Sequence, residues 1–245
     1  ASTDLSEFIT HVRGEEGTQV HLVIARSGES DYLEFDITRK NLVLPTVTQK
    51  MLENQTGYIQ VTEFTEHTVE QFEDALSELQ QEGMTALIVD LRSNPGGMLT
   101  SVCSMLDDIL PEGLLVYTED KNGNRQDYNS TDDKSLDLPL AVLVNGNSAS
   151  ASEIFAGAIQ DRKAGTIIGT TTYGKGVVQS ILSLKDGSAF KLTTSRYFTP
   201  NGTCIQGIGI QPDVEIEYEF TGPEDAKYSE EYDNQIQKAL DVLQQ

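Results

Sequence analysis

Two successive strand–loop–helix–strand units are the sequence feature that most constrains the fold of this chain. In the first unit, a continuous apolar segment at 86–91 predicts a strand, and apolar residues at helical spacing follow from Leu99. In the second, a strand at 140–144, a helix at about 150–160 and a strand at 166–169 follow one another. Such repeats predict a parallel sheet covered by helices, with any chemistry at the carboxyl ends of the strands.

The segment that precedes these units has its own pattern. Apolar residues at helical spacing predict a helix over 4–13, and apolar–polar alternation predicts a strand hairpin over 20–37. One helix and two strands bury too little apolar surface to fold alone. We therefore expect this segment to dock on the rest of the chain or to belong to a larger module.

Around the repeats, three further patterns predict local structure. The segment Thr68-Val69-Glu70-Gln71 has the form of a capping box and predicts the start of a helix. After the second unit, alternation predicts strands at 177–184 and 190–198. Apolar residues at helical spacing over 236–243 predict a final helix.

Composition excludes several classes of function. The formal net charge is −22, and no basic cluster could follow a phosphate backbone, so nucleic acid is not an expected partner. The cysteines, Cys103 and Cys204, lack the spacing of a metal site, and the sequence leaves open whether they form a disulfide. No segment is apolar over the length that spans a bilayer. We expect neither a metal nor another cofactor.

Three serines alternate with alanine between the second apolar strand and its helix, in Asn147-Ser148-Ala149-Ser150-Ala151-Ser152-Glu153. Small residues let a substrate approach the backbone, and a serine at a helix start lies near free N–H groups and the positive end of the helix dipole. The alternative is plain N-capping, which is a common use of serine at this position. The pattern does not distinguish Ser148, Ser150 and Ser152.

A lysine between two glycines, Gly174-Lys175-Gly176, opens the next predicted strand. On a strand, Lys175, Val177 and Gln179 share one face, so Gln179 is placed to hold Lys175 by a hydrogen bond. A lysine acts as a general base only after it loses its charge, and burial promotes that loss. The alternative for such a segment is a turn whose lysine is solvated.

Paired glycines, Gly96 and Gly97, precede the first helix of the repeats. Their N–H groups can point toward the sheet edge and form half of an oxyanion hole, and the N–H of Ala151 can form the other half. A simple turn into the helix is the alternative.

Two other site types fit the sequence poorly. The segment from Gly169 to Gly176 approaches the phosphate-binding pattern G-x-x-x-x-G-K-[ST], but glycine stands where the Mg²⁺-binding hydroxyl belongs and a strand follows where a helix is required. A Ser-His-Asp hydrolase would need the G-x-S-x-G elbow, which is absent, and the last histidine in the chain is His67. Lys175 is therefore the better candidate base for a serine nucleophile.

These segments together resemble the carboxyl-terminal processing (tail-specific) proteases. Each segment alone is weakly specific, but their order and spacing cover most of the chain. The matching segments are 57–59 with Phe64, 91–97, 148–154, 174–179, 199–202 and 207–213.

The resemblance implies a metal-free, ATP-independent serine endopeptidase that cleaves protein substrates near their C-termini with a Ser-Lys dyad. Ser150 is then the nucleophile, and Lys175, which lies 25 positions later, is the general base. Gln179 is implied to support the lysine. The oxyanion hole is implied at Gly96, Gly97 and Ala151.

The N-terminal segment resembles the last part of a PDZ domain, with its second long helix at 4–12 and its final strand at 18–25. The strand and carboxylate-binding loop that complete such a domain have no match in this sequence. The domain boundaries that follow are 1–45 for the C-terminal part of a truncated PDZ domain, 46–220 for the protease core, and 221–245 for an acidic linker and C-terminal helix.

The sequence thus predicts an α/β fold with a core of strand–helix repeats, and the family resemblance implies that this core is related to those of crotonase and Clp protease and is joined to a partial PDZ-like α+β segment. Expected partners are protein or peptide substrates with accessible C-terminal tails. The resemblance further implies an extracytoplasmic location, in the periplasm or at the cell exterior, and allows a membrane tether outside this chain and a homo-oligomer. The alternative is a binding or scaffold module on the same fold that is catalytically silent.

Overall fold

The computed structural model describes residues 4–131 and 135–244. The chain divides after Leu44 into two compact units. The division lies next to the predicted boundary, and the mixed α/β class is confirmed by the helices and strands of both units.

The first unit consists of one helix and one hairpin. Helix α1 (Leu5–Val12) begins after Asp4, and strand β1 (Gln19–Ile24) pairs antiparallel with β2 (Leu33–Thr38). The Arg39 guanidinium joins the elements, since its Nε donates to the Val12 carbonyl and its Nη1 to the Gln19 carbonyl. The predicted helix and hairpin are therefore confirmed.

The second unit is built on a six-stranded sheet and a smaller four-stranded sheet. In chain order its elements are β3 (Val47–Met51), β4 (Thr56–Val61), α2 (Thr68–Gln81), β5 (Ala86–Asp90), α3 (Leu99–Asp107), β6 (Gly113–Asp120), β7 (Arg125–Ser130), β8 (Leu140–Val144), α4 (Ala151–Asp161), β9 (Thr166–Gly169), β10 (Val177–Ser183), β11 (Ala189–Phe198), β12 (Val214–Glu215) and α5 (Asn234–Leu243).

The large sheet has the order β12-β9-β8-β5-β4-β3, and its strands are parallel except for β3. Successive side chains of a strand point to opposite faces. Leu87 and Val89 accordingly pack in the core that contains residues of α2, α3 and α4, whereas Ile88 packs with Ile236 and Leu240 of α5. Helices therefore cover both faces, which confirms the predicted parallel sheet.

The smaller sheet is antiparallel, with the order β10-β11-β6-β7. It contains the two strands predicted after Lys175 and a hairpin that turns at Asn122 and Gly123. The sequence analysis predicted no strand for β3 or for β6, because neither has a sustained alternation of apolar and polar residues.

The capping box predicted at the start of α2 is wrong. The Thr68 hydroxyl accepts a hydrogen bond from the Thr65 N–H at 2.8 Å, outside the helix, and His67 occupies the N-cap position. The Gln71 side chain instead accepts from the N–H groups of Thr46 and Val47, at 2.8 and 3.2 Å. The helix begins where predicted, but its polar side chains bind the chain that leads into β3.

Both cysteines are free thiols. Burial raises the pKa of Cys103 to about 12, so its thiol stays protonated at neutral pH. Among the described residues, no helix has both the length and the apolarity needed to cross a membrane.

Candidate active site

Three loops follow the adjacent strands β5, β8 and β9 at the carboxyl edge of the large sheet. Asn94, which is fully buried, joins the first two loops, because its carbonyl accepts the Ala149 N–H at 3.0 Å. Its side chain donates to the Val61 carbonyl and accepts from the Gly96 N–H, both at 2.8 Å. The loop after β5 therefore has a fixed shape beside the serine-rich loop.

The three serines of the second loop have different environments. The Ser148 hydroxyl donates to the Leu91 carbonyl at 2.8 Å, and the Ser152 hydroxyl donates to the Asn94 carbonyl at 3.0 Å. Both side chains are fully buried, whereas Ser150 is partly exposed. The structure thus separates Ser150 from its two neighbours, which the sequence pattern alone did not do.

Ser150 has an unusual backbone conformation, with φ of 58° and ψ of −112°. Non-glycine residues rarely adopt a positive φ, and where they do the surrounding structure must hold them there. Helix α4 begins at the next residue, Ala151, so the serine lies at the N-terminal end of the helix dipole. This conformation is more demanding than that of an ordinary N-cap, which has an extended backbone.

A buried carboxylate joins the serine loop to the lysine loop. Glu153 is fully buried, and its Oε2 accepts the N–H groups of both Ser150 and Lys175, each at 2.8 Å. Its Oε1 accepts from the Gly174 N–H and the Thr172 hydroxyl, both at 2.6 Å. The main chains of the candidate nucleophile and the candidate base are therefore held on one oxygen atom.

The lysine loop is also fixed from its other side. The Gly176 N–H donates to Gln206 Oε1 at 3.0 Å, and the Gly207 N–H donates to the Gly174 carbonyl at 2.8 Å. The Lys175 side chain is half-buried, and no carboxylate of the described residues lies within 4.0 Å of its Nζ. The main chain of the lysine loop is therefore held between Glu153 on one side and the segment of Gln206 and Gly207 on the other.

The glycine pair lies against the serine. Gly96 has a φ of +101°, and a Cβ atom on it would be 2.8 Å from Ser150 Cβ and 2.9 Å from the Ala151 nitrogen. The Gly96 N–H is already donated to Asn94 Oδ1. Among the described residues, the N–H groups of Gly97 and Ala151 donate no hydrogen bond, so these two are available to a ligand.

Gly96→Ala is expected to lower any activity of this site by about 10²-fold, because the added methyl group displaces the Ser150 loop and a misplacement of 1 Å can cost that much. The rate of peptide hydrolysis per folded molecule is the measurement. Gly123→Ala is the matched control, since Gly123 also has a positive φ of +81° but open space around its Cβ position. Equal rates for the two variants would contradict the expectation.

Among the described residues, no hydrogen bond joins Lys175 to Gln179. Its side-chain amide donates to Thr193 Oγ1 at 3.5 Å, and the strand pairing shifts register between Val178 and Gln179. The extra residue of this β-bulge is Thr194 on β11, and Lys175 lies before the first residue of β10. The shared face of Lys175, Val177 and Gln179 and the support of Lys175 by Gln179 therefore stay predictions.

Two features of the site escaped the sequence analysis. It assigned no role to Glu153, although a carboxylate three residues after a serine is the pattern of a capping box and could have indicated its bond to the Ser150 N–H. Its bond to the Lys175 N–H could not be predicted, because that contact joins separate loops. No group of His, Cys, Asp and Glu residues within the described ranges could hold a metal ion.

Comparison with known proteins identifies the family. Residues 55–216 match peptidase family S41. The chain belongs to this family. The match covers every strand of the large sheet except β3 and all three loops of the site, and it confirms the resemblance to the carboxyl-terminal processing proteases.

Individual members of the S41 family support the assignment. A carboxyl-terminal-processing protease of Synechocystis is 35% identical over 98% of this chain and 56% of its own length. A protease of the same description from Bartonella bacilliformis is 41% identical over 87% of this chain and 50% of its own. The structure of a photosystem II D1 C-terminal processing protease aligns with a TM-score of 0.68 at 32% identity, covering 85% of this chain and 58% of that one. The chain thus spans about half the length of the curated relatives it matches.

Proposed function

We propose that this protein is a serine endopeptidase that cleaves protein substrates near their C-termini, with Ser150 as the nucleophile and Lys175 as the general base. The observation that carries the proposal is the Glu153 carboxylate, which binds the N–H groups of both residues on a single oxygen. The partial exposure of Ser150 between two buried serines supports its choice as the nucleophile.

In the proposed reaction, the Ser150 hydroxyl attacks the carbonyl carbon of the scissile peptide bond while Lys175 Nζ accepts its proton. Negative charge develops on the carbonyl oxygen, and the free N–H groups of Gly97 and Ala151 are suited to stabilise it. Lys175 then gives the proton to the leaving amine, and water hydrolyses the acyl-enzyme by the same steps in reverse. The N–H of Gly96 is donated to Asn94, so Gly96 is not proposed as an oxyanion donor. Its role is to leave room for the Ser150 loop, because a side chain at Gly96 would collide with it.

The substrate class, the origin of the N-terminal unit and the cellular location are further proposals. The names of the relatives describe processing at a carboxyl terminus, which supports a polypeptide substrate with an accessible tail. We propose that 1–45 derive from a PDZ domain, because the unit combines a helix with an antiparallel strand pair, and a groove of about 610 Å³ lies between the end of the helix and the strands. The family resemblance supports an extracytoplasmic location, which cell fractionation of the source organism checks.

A fluorophosphonate probe tests the proposal, because it reacts with a serine hydroxyl that is activated as a nucleophile. We expect covalent labelling at Ser150, mapped by peptide mass spectrometry, and its loss in Lys175→Ala. The folded state of that variant is monitored by its thermal midpoint, which should change little because the Lys175 Nζ forms no ion pair in the described structure. A folded wild-type protein that is neither labelled nor active would instead indicate a silent binding module.

A further inference from the structure

A buried ionic cluster lies at the root of the loop that follows β5. Asp90 and Asp233 are fully buried, and the Arg92 guanidinium lies between them. Arg92 Nη2 is 2.6 Å from Asp90 Oδ2, and Arg92 Nη1 is 2.9 Å from Asp233 Oδ2. The guanidinium also donates to Gln235 Oε1 at 2.8 Å. The cluster thus joins the end of β5 to residues 141 positions farther along the chain.

Every charge in this cluster has a partner of opposite sign. Burial disfavours the charged guanidinium, but the hydrogen bonds and charges of Asp90 and Asp233 outweigh it and raise the pKa of Arg92 above its ordinary value. The Tyr58 hydroxyl donates to Asp90 at 2.7 Å, and the Tyr228 hydroxyl donates to Asp233 at 3.2 Å. Removing one member of such a buried group leaves the others uncompensated.

Arg92 is the second residue of the loop that carries Gly97. Its N–H donates to Asp90 Oδ1 at 2.9 Å, so both its backbone and its side chain are fixed by the cluster. The next residue, Ser93, has a φ of 59° and donates its N–H to Asn145 Oδ1 at 2.9 Å. The backbone at Ser93 therefore has little freedom to change, and a displacement of Arg92 would move the loop that leads to Gly97.

We infer that Asp233 is a positioning residue for the proposed peptidase reaction, and that it acts through Arg92 on the Gly97 N–H of the oxyanion site. The inference rests on the proposed function and extends it, because the match to family S41 ends at residue 216 and does not reach Asp233. The Asp233 side chain, at the N-cap of α5, thus acts on the oxyanion site in addition to capping the helix.

Asp233→Asn is the informative variant. Asn can still accept the N–H groups of Gln235 and Ile236 at the start of α5, but it loses the charge that faces Arg92. We expect kcat to fall by about 10- to 100-fold and KM to change by less than about twofold, because the displaced donor acts on the transition state. The affinity for a peptide boronic acid, whose serine adduct occupies the oxyanion site, should fall by the same factor.

Glu230→Gln is the matched control. Glu230 Oε2 is 2.6 Å from Lys50 Nζ, so this ion pair also ties the C-terminal segment to the large sheet. Lys50 lies on β3, the edge strand of the sheet, away from the loop that carries Gly97. The control should leave kcat and the boronic acid affinity unchanged, within about twofold.

A double-mutant cycle with Arg92→Ala separates positioning from general destabilisation. All variants are assayed well below their thermal midpoints, with rates expressed per active site that the boronic acid titrates. We expect the kcat of the double variant to be less than about twofold below that of Arg92→Ala alone, because Asp233 acts through Arg92. Effects that multiply, or a lowered thermal midpoint with an unchanged kcat, would overturn the inference. Absence of hydrolysis in the wild-type protein would refute the proposed function itself, which is a different outcome.

Discussion

Ser150→Ala is expected to lower the rate of peptide hydrolysis by at least about 10⁴-fold, because the oxyanion donors and substrate contacts that remain supply only a small part of the catalysis of a serine hydrolase. The thermal midpoint should stay close to that of the wild type. Ser150 is partly exposed, and its role in fixing the loop comes from its N–H bond to Glu153, which alanine retains. Hydrolysis of a peptide ending in a free carboxylate, followed by chromatography, measures the effect.

Ser148→Ala provides the contrast within the same loop. Its hydroxyl donates to the Leu91 carbonyl and accepts from the Asn145 N–H, and both bonds are buried or nearly so. Loss of this hydroxyl should cost about 1–3 kcal/mol of the free energy of unfolding, because two polar groups lose their partner. Probe labelling at Ser150 should remain. Cleavage that survives Ser150→Ala but disappears with Ser148→Ala would mean that the nucleophile is assigned to the wrong serine.

Glu153→Ala is expected to lower hydrolysis by about 10³-fold, because both reacting groups lose the atom that holds their backbones. It should also lower the free energy of unfolding by about 3–5 kcal/mol, since four donors, two of them in buried bonds and two in partly buried ones, lose their acceptor. Denaturant unfolding measures the second effect. Rates are compared per molecule labelled by the serine probe.

Glu153→Gln separates charge and hydrogen bonding from side-chain volume. Its amide nitrogen must replace one carboxylate oxygen, and the Thr172 hydroxyl is the one donor that can rotate to accept from it. The Gly174 N–H would then face a donor, while Ser150 and Lys175 keep their acceptor. We therefore expect a smaller loss than with alanine. Glu70→Gln, on the exposed face of α2, should change neither quantity, and equal losses from both Glu153 variants would argue against this orientation.

The sequence predicted the large sheet because its strands are unusually clear. Each residue of β5 and β8 is buried, and a continuous apolar segment between turn signals is the pattern of a strand covered on both sides. The two covered faces became visible only in the structure, where alternate residues of β5 contact different sets of helices. Strand β3 was missed because its middle residues are exposed and polar.

The positions of the candidate loops could be predicted because they follow from the order of strands along the chain. The loops that carry Ser150 and Lys175 follow β8 and β9, as a parallel sheet requires. The choice of Ser150 among three serines needed the family resemblance, and its physical reason is tertiary, since Ser148 and Ser152 bond to carbonyls of the loop after β5. The β-bulge at Thr194, on the strand that pairs with Gln179, and the contact between Arg92 and Asp233 depend on register and long-range packing, which one sequence does not specify.

The backbone of Ser150 has an evolutionary consequence. A φ of 58° with a ψ of −112° is a conformation that glycine adopts at little cost and serine does not. The proposed reaction requires a serine hydroxyl at this position, whereas thermodynamic stability favours glycine there. A homologue that carries glycine here and no longer hydrolyses peptides should therefore have a higher free energy of unfolding.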